Sequence, residues 1–308
     1  MVSLLYKFKN SPFHKCSPFI KISWLLTVIL VSILFEHPLI LLTLFISSFL
    51  FAVLSKITRE WIGFLKLAIL FFPFIILFNV IVNGNGETVL WQTSFTLPAF
   101  GRFNITLEEI MFGSTMCIRL GAILGAFTVI NLTTNPDDLM RAVTKLKFPY
   151  KSTMITTLTT KFVPILLRDF NDIVDVQRSR GVDFNKSKMK EKIINYATIF
   201  FPLLSKSLER SFQLAESMES RAFGRFPKRT YFNEINISPS EYIIMVIILL
   251  PLLMSAYMLT KGQGSFIFYQ KVDPLIKSSS EIRDILILFL LEVIVIPVLM
   301  FKWRISYD

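Results

Sequence analysis

Apolar residues gather into six long runs along this chain. The runs are Phe19–Phe35, Pro38–Leu54, Phe64–Val82, Ile110–Leu132, Tyr242–Leu259 and Ile285–Phe301. A helix crosses a bilayer with roughly 20 apolar residues, within a range of about 17–25, so each run predicts a membrane-spanning helix. Only Glu36 and His37 separate the first two runs, which predicts antiparallel neighbours. From Asn83 to Glu109 the pattern changes to alternation through Trp91, Phe95 and Leu97, the signature of a small β-hairpin. From Asn135 to Ser240 no span appears, and charges recur every few residues.

Within that charged region the apolar positions take on helical spacing. One helix is predicted from about Ser152 to Arg180, with Ile155, Leu158, Phe162, Ile165, Leu166, Phe170, Ile173 and Val174 on one face. Lys161, Arg168, Asp169, Asp172 and Asp175 are assigned to its opposite, polar side. A second helix is predicted from about Lys188 to Arg221, striped by Ile193, Ala197, Phe200, Phe201, Leu204, Leu208, Phe212, Ala215 and Met218. Pro164 and Pro202 interrupt the two helices at similar places. Each removes a backbone donor and permits a kink, so both are candidate hinges. A shorter helix opens at Asn135-Pro136-Asp137-Asp138 and ends near Lys147.

The expected fold is therefore an all-α integral membrane protein. It has about six transmembrane helices plus long, bent amphipathic helices at the cytoplasmic interface. Three regions follow: 1–133 with spans one to four, 134–239 with the amphipathic helices, and 240–308 with spans five and six.

Composition agrees. Apolar residues make up 53% of the 308, Phe alone occurs 31 times, and mean hydropathy is +0.58. The formal charge of +11 is then no sign of nucleic acid, because membrane proteins collect Lys and Arg on the cytoplasmic side. The basic N-terminal segment, Lys56 with Arg59, and Lys302 with Arg304 fall on one side of a six-span topology. That predicts a multi-pass plasma-membrane protein with both termini cytoplasmic. The 260–284 loop falls outside despite being mildly basic. No small-residue cleavage site follows the first run, so it is expected to be retained as a helix. Cys16 and Cys117 are expected to be free thiols.

Chemistry is sparse. The sequence has no phosphate-binding loop, no His-Glu-x-x-His, no Gly-x-Ser-x-Gly and no clustered metal ligands, so no catalytic residue and no cofactor is expected. Asp137 and Asp138 favour the positive end of a helix dipole; one acidic pair without a second cluster is a weak metal–diphosphate signal. Arg119 and Glu292 each lie midway along a predicted span. Ionisable groups there either line a pathway or serve structure, as an interhelical pair or by snorkelling. An interfacial enzyme using Asp137, Asp138 and Arg119, or a stand-alone secondary transporter using Arg119 and Glu292, are the alternative functions.

Two arginine signatures carry more information. Gln177-Arg178-Ser179-Arg180-Gly181 and Glu219-Ser220-Arg221-Ala222-Phe223-Gly224 each close a long striped helix. Arginine is permanently charged and offers a rigid fork of donors that matches a carboxylate. Gly181 suits a left-handed helix cap and leaves Arg180 protruding. Ala222, with Gly224 following later, predicts a somewhat different ending at Arg221.

At these residues the chain resembles the T component of energy-coupling-factor transporters, the CbiQ-like transmembrane family. That family ends two cytoplasmic coupling helices with Ala-Arg-Gly-type motifs. The counterparts here are Ser179-Arg180-Gly181 and Ser220-Arg221-Ala222, with the arginine kept in both. Ile105-Thr106-Leu107-Glu108, Arg119-Leu120, Thr133-Thr134-Asn135-Pro136-Asp137-Asp138-Leu139 and Pro149 extend the resemblance. It runs from the first span to about Gly224. The resemblance implies a non-catalytic scaffold with two cytosolic ABC ATPase subunits and a small substrate-binding membrane subunit as partners. Arg180 and Arg221 would each dock on one ATPase. ATP-driven motion would pass through the coupling helices to the substrate subunit, for uptake of a vitamin or a metal ion.

Overall fold

The structure is a computed structural model that describes residues 9, 11–83, 88–97, 101–145, 149–182, 184, 189–225, 238–268, 274 and 278–305. It divides the chain into two compact units, Met1–Leu139 with Asn236–Asp308, and Met140–Ile235. The elements in chain order are α1 (Pro18–Leu34), α2 (Pro38–Leu54), α3 (Thr58–Asn83), β1 (Val89–Leu97), β2 (Gly101–Thr106), α4 (Leu107–Thr133), α5 (Pro136–Lys145), α6 (Tyr150–Ser179), α7 (Met189–Ser220), α8 (Pro239–Thr260), α9 (Ser279–Val293) and α10 (Val295–Ile305).

The first unit is a helical bundle with one hairpin. Helices α1, α2 and α8 begin with proline at the first helical position, where the missing N–H costs nothing and φ is preset. His37 caps α2, its Nδ1 accepting the Leu39 N–H at 3.3 Å. Strands β1 and β2 pair antiparallel, from Val89 opposite Thr106 to Leu97 opposite Gly101. The hairpin feeds α4 directly. There the Thr106 N–H donates to Glu109 Oε2 at 3.0 Å, and Glu108 takes the Thr88 N–H and hydroxyl at 3.1 and 2.8 Å. Glu108 and Glu109 are thus helical and buried, and α4 begins three residues before the predicted span.

Helix α4 packs against α1, α2 and α3, and α1 packs against α8. Small residues permit the approach. A methyl on Gly125 would lie 2.8 Å from Trp61 Nε1 and 3.0 Å from Ser48 Oγ, and one on Gly121 would lie 3.0 Å from the Phe45 ring. In a bilayer, where burial away from lipid gains little, such close contact is what holds helices together. Phe13, Trp24 and Phe51 form a buried aromatic trio with ring centroids 4.4–5.9 Å apart. The opposite surface of α3 is apolar and exposed: Leu70, Phe74 and Phe78 are all more than 60% accessible, as lipid-facing residues are.

Among the described residues, three helical segments are long and apolar enough to cross a membrane: Thr58–Asn79, Leu107–Thr133 and Pro239–Thr260. Helices α1 and α2 are apolar and 17 residues long, about 26 Å each at 1.5 Å per residue. The predicted sixth span differs. It breaks at Ile294 into α9 and α10. Pro297 supplies the reason, because it has no N–H to offer the carbonyl four residues back, at Val293, and its ring crowds that carbonyl.

The second unit is built on α6 and α7, of 30 and 32 residues. Pro164 and Pro202 lie inside them without ending them.

Candidate functional site

Helices α6 and α7 run antiparallel. Partner numbers fall along α7 as they rise beyond α6's midpoint: Asp169 meets Lys206 and Arg210, Gln177 meets Thr198, and the Phe184 ring lies 5.9 Å from Tyr196. The seam is polar. Asp169 is 5% exposed and accepts from Lys206 Nζ at 2.6 Å and Arg210 Nη2 at 2.8 Å. The hydrogen bond from Lys206, then that from Arg210, holds its carboxyl below the usual carboxylate range. The assignment of Asp169 to the open, polar side of α6 is therefore corrected. A carboxylate facing an i, i+4 pair of cations on the neighbouring helix is better satisfied between the helices than in solvent. The apolar stripes are only partly covered: Leu158, Phe162, Leu166, Ile173 and Val174 are half-buried, whereas Ile155, Ile193, Phe200, Phe201, Leu208 and Phe212 are all more than half exposed.

Pro202 creates a second contact. Lacking an N–H, it leaves the Thr198 carbonyl without its usual donor four residues on. Gln177 Nε2, from the first arginine signature, donates to that carbonyl at 3.4 Å. Back-bonded hydroxyls precede the other proline: Thr156, Thr157 and Thr160 each donate to the carbonyl four residues earlier, which softens a helix locally.

Both signatures end their helices in the same way. At the first, the Gly181 N–H donates to Arg178 O at 2.9 Å and the Val182 N–H to Gln177 O at 3.1 Å, with Gly181 at φ +85°. At the second, the Ala222 N–H donates to Glu219 O at 2.8 Å and the Phe223 N–H to Met218 O at 3.0 Å, with Ala222 at φ +57°. Each is a Schellman motif, with the arginine as last residue before the left-handed position. The expected difference between the two endings is thus corrected: Ala222 adopts the left-handed conformation itself, and Gly224, at φ +84°, makes a further turn. The serines also fit. Ser179 Oγ donates to Asp175 O at 3.0 Å and Ser220 Oγ to Ser217 O at 2.9 Å, so neither hydroxyl projects from the tip.

Arg180 and Arg221 are exposed, and among the described residues neither guanidinium has a hydrogen-bond or ion-pair partner. Arg178 differs, lying 3.9 Å from Asp175.

Alanine at a left-handed position costs about 1–2 kcal/mol of strain. Ala222→Gly removes it but loosens the unfolded chain, so a net gain of about 0.5–1 kcal/mol is expected. Slower hydrogen exchange at the Phe223 amide in the purified full chain is the measurement; faster exchange there would contradict the strain.

The remaining candidates belong to the first unit. Arg119 and Glu292 do not pair. Arg119 Nη2 donates to the Phe35 carbonyl at 2.7 Å, at the C-terminal end of α1, where a cation complements the helix dipole. Lys21 does the same for α4, donating to Thr133 O at 2.8 Å. Glu292, on α9, is buried, with the Ser47 hydroxyl as its polar neighbour among the described residues. Asp137 and Asp138 open α5, where the Asp137 N–H donates to Asn135 Oδ1 at 3.1 Å. Among the described residues no three His, Cys, Asp or Glu side chains gather as a metal-ligand set.

Sequence patterning missed Asp169 and Gln177 as linking residues. A signal existed for each: Lys206 and Arg210 share one face of α7, and Pro202 marks Thr198 as a carbonyl in want of a donor.

Comparison with known proteins bears on the whole chain. The model of the CbiQ family, described as cobalt transport protein, matches residues 9–232. Curated relatives carry the name energy-coupling factor transporter transmembrane protein EcfT. The one from Streptococcus thermophilus is 28% identical over 235 residues, covering 73% of this chain and 86% of the relative. That from Ruminiclostridium cellulolyticum is 28% identical over 249 residues, covering 76% and 88%. That from Acidaminococcus fermentans is 27% identical over 260 residues, covering 81% and 93%. The family match takes in four apolar helices, the polar seam and both arginine tips, and on that basis the chain belongs to the CbiQ family.

Proposed function

We propose that this chain is the transmembrane T component of an energy-coupling-factor importer. It transmits ATP-driven motion of two cytosolic ABC ATPase subunits to a small substrate-binding membrane subunit. Arg180 and Arg221 each dock on one ATPase, with Ser179, Gly181, Ser220 and Ala222 shaping the tips. Region 134–239 is the coupling segment, Pro164 and Pro202 are its hinges, and both termini are cytoplasmic. The cargo is a vitamin or a transition-metal ion, and this chain performs no catalysis.

The observation that carries the reading is the pair of matching helix endings, each presenting an exposed guanidinium without a partner among the described residues. Two such tips fit two copies of one kind of acidic pocket. The exposed stripes of α6 and α7 supply apolar area for the substrate subunit without a ligand pocket. Arg119 is engaged by the Phe35 carbonyl, which weakens the transporter and enzyme alternatives that need it as a reacting or ion-binding group.

Gentle detergent purification from the native membrane tests the reading. Two ATPase chains and one small apolar protein are expected to accompany this chain, and reconstituted uptake is expected to require ATP. Uptake by the chain alone, or purification without any ATPase, would sink the proposal.

A further inference from the structure

We infer that the ion cluster of Asp169 with Lys206 and Arg210 is the pivot of the coupling lever, and that Gln177 is its latch. This rests on the reading that α6 and α7 transmit motion between docked partners.

The geometry is specific. Asp169 precedes Arg180 by eleven positions, and Arg210 precedes Arg221 by eleven. Because the helices are antiparallel, the two tips lie on opposite sides of the cluster, each about 16 Å from it at 1.5 Å per residue. Levers of equal length convert one rotation about the cluster into equal and opposite displacements of the two arginines. The carboxylate is buried and receives two charge-assisted donors from successive turns of α7. Charge-assisted donors to both carboxylate oxygens resist separation of the helices at this point more strongly than apolar packing alone.

Gln177 gives the lever a preferred angle. It bonds the carbonyl that Pro202 leaves bare, so the α6 tip is tied to the point where α7 can bend. A change in the α7 kink moves Thr198 O and with it the turn that ends in Arg180. Gln177 and Asp169 are positioning residues: neither lies at the tip surface, and both fix where the arginines stand.

The test uses the full chain in nanodiscs, carrying Cys16→Ser and Cys117→Ser, with spin labels at Asp172→Cys and Glu216→Cys, two exposed positions on either arm. A single narrow inter-label distance is expected. Asp169→Asn is expected to broaden it about twofold, while Asp169→Glu, which keeps the charge, restores most of the order. In the reconstituted complex Asp169→Asn is expected to retain both ATPases and their hydrolysis while uptake per ATP falls about tenfold. Gln177→Leu is expected to lower uptake per ATP less, with hydrolysis again unchanged. An unaltered distance together with unaltered uptake per ATP overturns the pivot. So does loss of the ATPases from Asp169→Asn when the parent chain binds them, since Asp169 would then act in docking. If the parent chain itself recruits no ATPase, the coupling reading falls, and the distance measurement on the chain alone still judges the pivot.

Discussion

The Arg180→Glu, Arg221→Glu double variant is expected to lose ATPase association altogether while the helical fold persists. Both side chains are exposed and, among the described residues, make no hydrogen bond or ion pair, so no such contact is lost on substitution. The Schellman endings depend on backbone donors and on Gly181 and Ala222, which the variant leaves intact. A fully paired interfacial charge costs about 2–5 kcal/mol when truncated, roughly 30- to 4,000-fold in affinity, and reversal adds repulsion to that loss. Two tips on one rigid pair bind as a bivalent unit. Each single reversal therefore also forfeits the effective concentration that the first contact provides for the second. Arg180→Lys with Arg221→Lys keeps the charge but not the planar fork, and an intermediate affinity is expected. Arg168→Glu, an exposed charge on the same helix, is the control for net charge. Co-purification of ATPases at the parent ratio with the double reversal would remove the arginines from the docking role, whatever the fate of the coupling reading. Circular dichroism of each variant separates lost docking from lost structure.

Much of this arrangement was legible in the sequence because its physics is local. Apolar run length marks the bundle helices, proline at position one marks the starts of α1, α2 and α8, and period-two alternation marks the hairpin before α4. Boundaries moved where a side chain reached outside its run, as Glu108 does toward Thr88. The break at Ile294 was written in Pro297, but an apolar run masks it, since hydropathy registers composition and not the loss of one donor. The contacts between α6 and α7 were harder to read. A helical pattern assigns charges to the face opposite the apolar stripe and takes that face as solvated. In this pair one carboxylate is buried while parts of both stripes stay exposed, and Asp169 was misplaced for that reason. The tips show the converse. Ala222 lacks the glycine that signals a left-handed cap, yet its backbone takes the conformation because two hydrogen bonds hold it there. Composition gives the cheapest residue for a position; it does not exclude the second cheapest.

Gly264→Ala is expected to destabilise the helical bundle by about 2–5 kcal/mol, the sum of about 1–2 for left-handed strain and about 1–3 for overpacking. Gly264 follows the end of α8 at φ +91°, and a methyl there would sit 2.2 Å from Phe35 Cδ1 and 2.4 Å from Cε1. The ring cannot easily withdraw. Phe35 is fully buried, its N–H donates to Val31 O, and its carbonyl receives Arg119. Moving the 264 segment instead would disturb Phe266 and Phe268, both buried, which rest on His37 and Phe112 at centroid distances of 5.5 and 5.4 Å. Gly262 provides the comparison within the same turn. Its φ is +68°, but a methyl there meets nothing within 4 Å, so Gly262→Ala carries only the strain, about 1–2 kcal/mol. Thermal unfolding of the two variants in one detergent isolates the steric part as their difference. Equal, small losses would mean that the segment after α8 does not close on the Phe35 ring. A larger loss at Gly264 would tie the α1–α2 turn, the Arg119 contact and the α8–α9 connection into one packed end of the bundle.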